Sequence, residues 1–460
     1  MKIRMNFWYP ISSVLLFFTA LQSCENMLEV DPPINQINAA QVFESVSTAD
    51  AALSSLYVEM QAYSLINGTY AGTGALLGSY TDELLAYGNT QNYDVDIYKN
   101  VQTSENTRIR AVWNTAYKQI YMANAILEGV NNSTSLPDTD KKRIKGEAMF
   151  IRSLLYYYLT QIFGDIPYAT GTDYGVNQSL AKTSETEMLL YIKNDLLLAN
   201  SLLSNTYRSA ERIYPNRYPA AVLLATVYMN MHQWIDAEVL LKEVKQSPLL
   251  IWEPDVTKTF KMTGKHILWQ LKPLKPGNAT NEATIYHFTT AVPNAYSLSE
   301  TLVNVFDMND LRRQNWIKTI TINQKAYYKA DKYKNISSNS DECSVVFRLE
   351  EVYLLLAEAL AQQNKRAEAL PYLNAVKQKA GIAMLPENTS KEVLLNEILT
   401  ENRKEFFTEK GIRFLSLKRA ANLETLKTAK PNWQNHHQRW PLPQSELSLN
   451  PRLNPQNNGY

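Results

Sequence analysis

Three glutamates near the C-terminal end of the chain, Glu401, Glu405 and Glu409, are spaced four residues apart. Residues at this spacing share one face of a helix, and two carboxylates on one face could serve as the acid and the base of a hydrolase. Four basic residues lie in the same segment: Arg403, Arg413, Lys418 and Arg419. Because opposite charges at this density are typical of structural ion pairs, we predict an ion-pair network here and no catalytic pair.

The remaining residues that could bind a metal or a cofactor do not form a recognisable site. The five histidines include no pair at helical i, i+4 spacing: His232, His266, His287, His436 and His437. With only two cysteines, Cys24 and Cys343, the chain has too few thiols for a zinc ribbon or a disulfide scaffold. We therefore expect no cofactor and no metal centre of these kinds, and we expect Cys343 to be a buried small apolar residue.

Two incomplete motifs occur before residue 100. Three glycines approach the spacing of a dinucleotide-binding fingerprint: Gly72, Gly74 and Gly78. Leu77 stands where that fingerprint needs its third glycine, so we predict a flexible loop. Asp94 and Asp96 begin a calcium-loop pattern, but Tyr98 and Lys99 occupy positions that require a ligand and a glycine. This excludes an EF-hand and leaves an irregular calcium site open.

The composition indicates a folded protein whose net charge is close to zero. A chain of 460 residues that is 45% hydrophobic and 20% charged can bury a substantial core, which excludes disorder throughout. The net charge is +1, so we expect no nucleic acid partner. Tyrosine is unusually common, with 28 residues against 13 phenylalanines, and its flat ring with one polar tip suits a binding surface.

The N-terminus reads as an export signal. Lys2 and Arg4 precede a short apolar run that ends at Leu21, and the run is well below the roughly 20 residues that span a bilayer. We assign residues 1–23 to a signal peptide and expect no membrane-spanning helix. The sequence from Leu21 to Cys24 resembles the lipobox of bacterial lipoproteins, and this resemblance implies cleavage before Cys24 and acylation of that cysteine. Several acyl chains on one cysteine make a lasting membrane anchor.

Helical patterns dominate the rest of the chain. Apolar residues from Ile144 to Ile162 recur at three and four residues, and Gly164 ends the pattern. Ser184 and Thr389 each stand three residues before a glutamate, which is the spacing of a capping box. We expect a helix to begin at each of these two positions.

Two segments resemble one another and indicate paired helices. Residues 223–240 and residues 355–370 each begin with Leu-Leu-Ala and end with Ala-Glu-x-Leu. The small alanines in these motifs allow two helices to approach closely. This pattern is similar to degenerate tetratricopeptide repeats. Between the helical blocks, residues 68–107 and 247–341 are rich in Tyr, Asn, Thr, Gly and Pro, and we expect long irregular loops with short strands there.

Three further segments carry a resemblance to one family. Residues 147–152 with 163–167, residues 405–414, and the C-terminal tail from Pro441 to Tyr460 resemble motifs of the SusD/RagB family of outer-membrane nutrient-binding lipoproteins. With the lipobox at the other end, the resemblance spans the chain. It implies a mainly α, SusD-like fold on a tetratricopeptide-like helical scaffold with long irregular loops and short strands. It also implies one SusD/RagB-like domain over 24–460, with an N-terminal part (24–246) and a C-terminal part (247–460).

The function implied by the resemblance is capture for import. The protein would be lipid-anchored on the outer face of a Bacteroidota-type outer membrane, as a lid on a SusC-like TonB-dependent transporter. It would bind oligosaccharides and pass them to the transporter without breaking a bond. Two alternatives stay open: capture of peptides in the RagB manner, and a helical scaffold for the transporter whose loops bind no ligand.

Aromatic and amide side chains of the irregular segments suit a sugar ligand. A sugar ring has an apolar face that stacks on flat aromatic rings and a rim of hydroxyls that pairs with polar groups. The resemblance places a ligand loop near the first irregular segment. The candidate ligand-binding residues form two clusters: Tyr87, Asn89, Tyr93 and Tyr98 in the first, and Trp269, Tyr286, Tyr296 and Trp316 in the second.

Overall fold

The computed structural model describes residues 41–88 and 93–460. The predicted signal peptide, Cys24 and Asn89 lie outside these described residues. Helix accounts for about 54% of the structure, and the predicted mainly α class is confirmed. The helices are α1 (Val46–Tyr63), α2 (Thr73–Tyr80), α3 (Tyr93–Tyr98), α4 (Thr107–Asn132), α5 (Asp138–Phe163), α6 (Tyr174–Asn177), α7 (Glu185–Leu202), α8 (Arg217–Asn230), α9 (Trp234–Lys245), α10 (Asn281–Ile285), α11 (Glu300–Val303), α12 (Leu311–Trp316), α13 (Leu349–Gln362), α14 (Arg366–Lys379), α15 (Lys391–Phe406), α16 (Ile412–Arg419) and α17 (Gln444–Leu449). The strands are β1 (Leu84–Ala86), β2 (Ile267–Leu271), β3 (Tyr296–Leu298), β4 (Ile317–Ile322), β5 (Lys325–Ala330) and β6 (Ser344–Arg348).

Helix α5 is the central element of the larger core and matches the predicted pattern. Ile144, Ile151 and Leu155 are buried along it, and nearly every residue of its second half is buried as well. The helix ends where Gly164 adopts a φ of +78°, a conformation that glycine takes without a side-chain clash. None of the helices in the described ranges has the length and apolar character needed to cross a membrane.

The predicted helix starts are confirmed in one case and shifted in the other. Ser184 caps α7, because its hydroxyl accepts a hydrogen bond from the backbone N–H of Glu187 at 3.3 Å. Helix α15 is capped by Ser390, whose hydroxyl accepts from Val393 N–H at 3.3 Å. The prediction of Thr389 as the cap is wrong by one residue, because the Thr389 hydroxyl instead donates to a preceding backbone carbonyl.

The two repeated segments form the predicted helical hairpins, α8 with α9 and α13 with α14. Both hairpins turn through a left-handed residue, His232 with a φ of +57° and Asn364 with a φ of +63°. The hairpins stack through Glu238, whose carboxylate accepts from Gln363 at 2.8 Å and from Lys365 at 2.7 Å. The scaffold is therefore a pair of stacked helical hairpins, as the sequence pattern predicts.

The irregular segments contribute two small antiparallel sheets. Four strands pair in the order β1-β3-β5-β4, and β2 pairs with β6. Leu298 is paired with Leu84 on one side and with Tyr328 on the other, so β3 joins the N-terminal and C-terminal parts of the chain. The β4–β5 hairpin turns at Asn323 and Gln324, which have φ values of +49° and +65°.

The glycine-rich stretch before β1 is a buried helix and not the flexible loop predicted for it. All eight residues of α2 are buried. A Cβ atom at Gly74 would come within 2.2 Å of the Thr408 carbonyl oxygen, so the absence of a side chain allows α2 to pack directly on the segment after α15. The glycines therefore serve close packing, which composition alone does not distinguish from loop flexibility.

The three glutamates belong to a buried ion-pair network, which confirms the prediction of a structural role. Arg312 contacts Glu401 at 2.8 Å and Glu405 at 3.1 Å, and Arg348 contacts Glu405 at 2.5 Å and Glu409 at 3.1 Å. Burial alone would raise the pKa of Glu409, but Arg348 and other cations hold it below its ordinary value.

The cations expected from sequence proximity are not the partners of this network. Arg403 and Arg413 both bind Asp82, and Arg419 binds Glu358. Arg312, Arg348 and Lys332 come from distant positions in the chain and reach these glutamates only through the tertiary fold, whereas Lys404 is a local partner that contacts Glu401 at 3.1 Å.

Candidate functional site

An open cavity of about 270 Å³ lies beside the four-stranded sheet, and we call it the sheet cavity. Strands β1, β3 and β5, the end of α3 and residues 429–430 surround it. Its walls include four tyrosines, two acidic side chains and two basic side chains: Tyr87, Tyr98, Tyr327, Tyr328, Asp82, Glu300, Lys325 and Lys430. The cavity thus combines residues of the N-terminal and C-terminal parts of the chain.

Tyr87 follows β1 and is held in place at its backbone and at its hydroxyl. Its N–H donates to the Ala295 carbonyl at 2.8 Å, and its hydroxyl pairs with the Ser297 hydroxyl at 2.9 Å. Its ring centroid lies 6.3 Å from that of Tyr327, and both rings are half-buried. Two half-buried rings therefore line one side of the cavity, and the Lys325 ammonium lies 5.2 Å from the centre of the Tyr327 ring.

Tyr98 at the end of α3 lines the cavity next to Lys430. The Lys430 ammonium donates to the carbonyls of Tyr98 at 2.7 Å and of Ser79 at 2.5 Å. Burial lowers the pKa of Lys430 to about 7, because the charged amine is removed from water with little compensation from anions. This lysine ties α3 to the C-terminal part of the chain.

The floor of the cavity is fixed by Asp82 just before β1. Its carboxylate accepts two hydrogen bonds from Arg413, both at 3.0 Å, and pairs with Arg403 at 3.0 Å. Its backbone carbonyl accepts from the hydroxyls of Ser299 at 2.5 Å and Thr301 at 2.9 Å. Burial acts to raise the pKa of Asp82, but the two arginines lower it below its ordinary value.

Glu83, the next residue, is buried beneath this floor and has the opposite titration behaviour. Burial raises its pKa to about 8, and Arg403 compensates only in part. Within the described part of the chain, its Oε1 atom has no hydrogen-bond partner. Neighbouring carboxylates thus differ in charge state near neutral pH because only Asp82 is fully paired.

The structure brings two residues of the first predicted cluster into the cavity. Tyr87 and Tyr98 line it, whereas Tyr93 lies at the start of α3 with 45% of its surface exposed and does not line it. Asn89 falls outside the described residues. Tyr327 and Tyr328 also line the cavity but are not among the predicted residues, although two adjacent tyrosines in the second irregular segment are a usable signal.

The second predicted cluster requires a correction. Trp269, Tyr286, Tyr296 and Trp316 are 0%, 3%, 2% and 1% exposed, so none of these rings offers a free face to a ligand in this structure. Trp269 instead packs in the core and donates from its ring N–H to a backbone carbonyl at 3.1 Å. Trp269 lies on β2 and Tyr296 on β3, whereas Tyr286 follows α10 and Trp316 ends α12; all four rings are buried and are not part of the candidate site.

The arrangement of the sheet cavity suits binding. Half-buried rings offer stacking surfaces, and the tyrosine hydroxyls and polar side chains of the walls can pair with ligand hydroxyls. The side chains of Asp82 and Lys430 are already engaged in hydrogen bonds with the protein.

No group of three or more His, Cys, Asp or Glu residues suited to holding a metal ion occurs in residues 41–88 and 93–460. Asp94, considered above for calcium, is bound by Arg108 at 2.6 Å.

Comparison with known proteins identifies the family. Residues 26–229 match a SusD-like family described as starch-binding and associating with the outer membrane, and residues 279–460 match the SusD family. The chain belongs to the SusD/RagB family. It is 25% identical to SusD-like protein P2 of Formosa agariphila, over 98% of this chain and 99% of that protein. It is also 23% identical to SusD-like protein P25 of the same organism, over 97% and 98% of the two chains.

Solved structures share the fold at low sequence identity. A SusD superfamily protein from Bacteroides vulgatus superposes with a TM-score of 0.77 at 19% identity, covering 91% of this chain and 100% of that one. Surface glycan-binding protein A from Bacteroides thetaiotaomicron, solved with laminarihexaose, has a TM-score of 0.75 at 16% identity, covering 90% and 99%. The SusD-like fold predicted from the sequence motifs is therefore confirmed.

Proposed function

We propose that this protein captures oligosaccharides at the cell surface and delivers them to a SusC-like TonB-dependent outer-membrane transporter. The observation that carries the proposal is the pair of half-buried rings of Tyr87 and Tyr327, which lie 6.3 Å apart and line the sheet cavity. Membership of a family described as starch-binding supports a carbohydrate ligand, as does the laminarihexaose bound by a structural neighbour.

The ligand is bound and released without cleavage. Stacking of a flat ring on an aromatic side chain contributes about 1–3 kcal/mol by analogy with base stacking, so two or three rings support only weak to moderate affinity. Weak capture is compatible with transfer to a second protein. Residues 24–460 act as one domain in this proposal, because Tyr87 from the N-terminal part and Tyr327 from the C-terminal part form one wall.

The site is tested by titration calorimetry with a panel of neutral hexasaccharides that includes laminarihexaose. Replacing Tyr87 and Tyr327 with alanine is expected to weaken binding at least tenfold, because both stacking faces are removed. The Tyr87→Phe variant keeps the ring and is expected to lose little. Tyr63→Ala is the matched control, since Tyr63 is 59% exposed and does not line the cavity.

A peptide pool of matched length is titrated in parallel. Heat of binding with peptides and none with any hexasaccharide would replace the glycan proposal with capture of peptides. Unchanged hexasaccharide binding by the Tyr87→Ala/Tyr327→Ala variant would remove the sheet cavity as the site.

The anchor and the partner need separate tests. We propose Cys24 as the lipidated residue, and incorporation of labelled palmitate is expected in the native chain and absent in Cys24→Ser. Co-purification of the transporter with the native protein from outer membranes, together with uptake lost in Tyr87→Ala/Tyr327→Ala, is expected if capture precedes delivery. Intact uptake in that variant, together with no binding of any hexasaccharide or peptide by the native protein, would favour the scaffold alternative, in which the loops bind no ligand.

A further inference from the structure

A second and larger cavity, which we call the α4 cavity, lies away from the sheet. Its volume is about 710 Å³, within the range of small-molecule sites. Helix α4, the segment 167–180 and the C-terminal residues 446–453 form its walls. None of its lining residues belongs to the sheet cavity, so the two cavities can be altered independently.

Exposed apolar side chains are concentrated around this cavity. Leu449 is 79% exposed and Tyr174 is 78% exposed, the two highest values among the large hydrophobic residues of the described chain, and Tyr121 is 50% exposed. All three line the α4 cavity. Single exposed apolar residues are ordinary, but their convergence on one concavity is typical of a binding site.

The aromatic surface extends from the rim into the cavity. The Tyr117 ring lies behind the rim and is fixed, because its hydroxyl donates to the Pro167 carbonyl at 2.8 Å. Trp113 packs against it with a ring centroid distance of 4.8 Å. Tyr121 follows Tyr117 by one turn of α4, so rings are presented along the length of the cavity wall.

Uncharged polar groups in the walls are available to a ligand. The side chains of Asn114 and Gln178 make no hydrogen bond to any other residue that the structure describes, and both line the cavity. Amides can donate to and accept from the hydroxyls of a sugar. Glu446 is the single charged side chain among the described lining residues, and the neighbouring Arg452 guanidinium donates to the Ser179 carbonyl of the wall.

The cavity walls are joined by hydrogen bonds and need no rearrangement to form. Asn450 donates to the Leu180 carbonyl at 2.8 Å, and Arg452 donates to the Ser179 carbonyl at 3.0 Å. On the other side, Asn124 donates to the Ala169 carbonyl at 3.0 Å. The C-terminal residues, the segment 167–180 and α4 are therefore held together as one preformed concavity.

We propose that the α4 cavity is a second binding site, specific for uncharged oligosaccharides, in which Tyr121 and Tyr174 stack on sugar rings and Asn114 and Gln178 pair with sugar hydroxyls. The ligand class is that of the proposed function, and the site is new.

The test measures oligosaccharide binding at the α4 cavity in a protein whose sheet cavity has lost its two stacking rings. Laminarihexaose, maltohexaose and xylohexaose are titrated by ligand-observed NMR into the Tyr87→Ala/Tyr327→Ala background. We expect residual binding of at least one of them. Adding Tyr121→Ala and Tyr174→Ala is expected to weaken this residual binding tenfold or more, whereas adding Tyr121→Phe and Tyr174→Phe, which keep the rings, is expected to preserve it.

Charge and surface controls complete the test. Hexagalacturonate, an anionic sugar of the same length, is expected to bind at least tenfold more weakly to the α4 cavity, and adding Tyr63→Ala to the background is expected to change nothing. Residual binding unaffected by Tyr121→Ala/Tyr174→Ala, or residual binding of the anionic sugar equal to that of the neutral ones, would overturn the proposal. The proposal would also be overturned if the native protein bound a hexasaccharide and the Tyr87→Ala/Tyr327→Ala variant bound none. That outcome would leave the proposal for the sheet cavity intact.

Discussion

The ammonium nitrogen of Lys430 lies 3.8 Å from the centre of the Tyr98 ring and donates a hydrogen bond to the Tyr98 carbonyl at 2.7 Å. One side chain from the C-terminal part therefore fixes both the ring and the backbone of a residue that lines the sheet cavity. Because the two residues are far apart in sequence, the shape of this wall depends on the docking of the two parts of the chain.

Replacing Lys430 with methionine is expected to weaken hexasaccharide binding while changing stability little. The variant loses the hydrogen bonds and the cation–π contact that position Tyr98, but it also removes the cost of burying an amine, so the free energy of unfolding is expected to change by about 1 kcal/mol or less. Calorimetry and urea unfolding measure the two effects. Lys427→Met is the control, because Lys427 forms an exposed pair with Glu424. Equal affinity in the two variants would show that Tyr98 needs no such support.

Replacing Asp82 with alanine is expected to destabilise the fold strongly. The substitution leaves Arg403 and Arg413 buried without their shared carboxylate, and breaking a buried ion pair by removing one partner costs about 3–5 kcal/mol. Urea unfolding measures this loss. Glu424→Ala, which breaks an exposed pair, is expected to cost less than about 1 kcal/mol. A similar small cost for Asp82→Ala would mean that the floor of the sheet cavity is not held by these ion pairs.

The buried carboxyl of Glu83 is expected to make the stability depend on pH. Its pKa rises from 4.5 to about 8 on folding, so between these values the folded protein holds a proton that the unfolded chain has lost. The free energy of unfolding therefore falls as the pH rises from about 4.5 to 8. Urea unfolding at pH 5 and pH 8 is expected to show a smaller fall in Glu83→Gln than in the native protein. An equal fall in the free energy of unfolding between pH 5 and pH 8 in both proteins would exclude Glu83 as a source of the pH dependence.

Cys343 is expected to be unreactive in the folded protein. It is buried, and burial raises the pKa of its thiol to about 12, so the thiolate that reacts with disulfide reagents is scarce at pH 8. In a chain that begins after Cys24, Ellman's reagent is expected to detect no thiol until denaturant is added. Rapid labelling of the native chain would show that this part of the molecule opens readily.

The helical scaffold could be predicted because its signals are local. The apolar spacing along α5, the stop at Gly164 and the paired alanine-rich segments each depend on residues a few positions apart. The cap at Ser390 and the glycines of α2 show the limit of such patterns, since a one-residue shift or a close packing partner is decided by atoms elsewhere in the chain.

The candidate site could be predicted only in part. Tyr87 and Tyr98 stood out as aromatic residues in an irregular segment, but Trp269 and Tyr296 share that description and are buried. Which face of a ring meets solvent depends on strand pairing between distant segments, such as Leu84 with Leu298. The pairing of β1 and β5 with the two sides of β3 brings the Tyr327 ring to 6.3 Å from the Tyr87 ring, a proximity that the two sequence positions do not indicate.

Capture at the sheet cavity is tested by a crystal structure of the native protein soaked with the hexasaccharide that binds best. We expect an intact oligosaccharide in the sheet cavity, with a sugar ring against Tyr87 or Tyr327. A bound glycan that touches neither ring while the sheet cavity stays free of sugar, or a glycan cleaved by the protein, would contradict it.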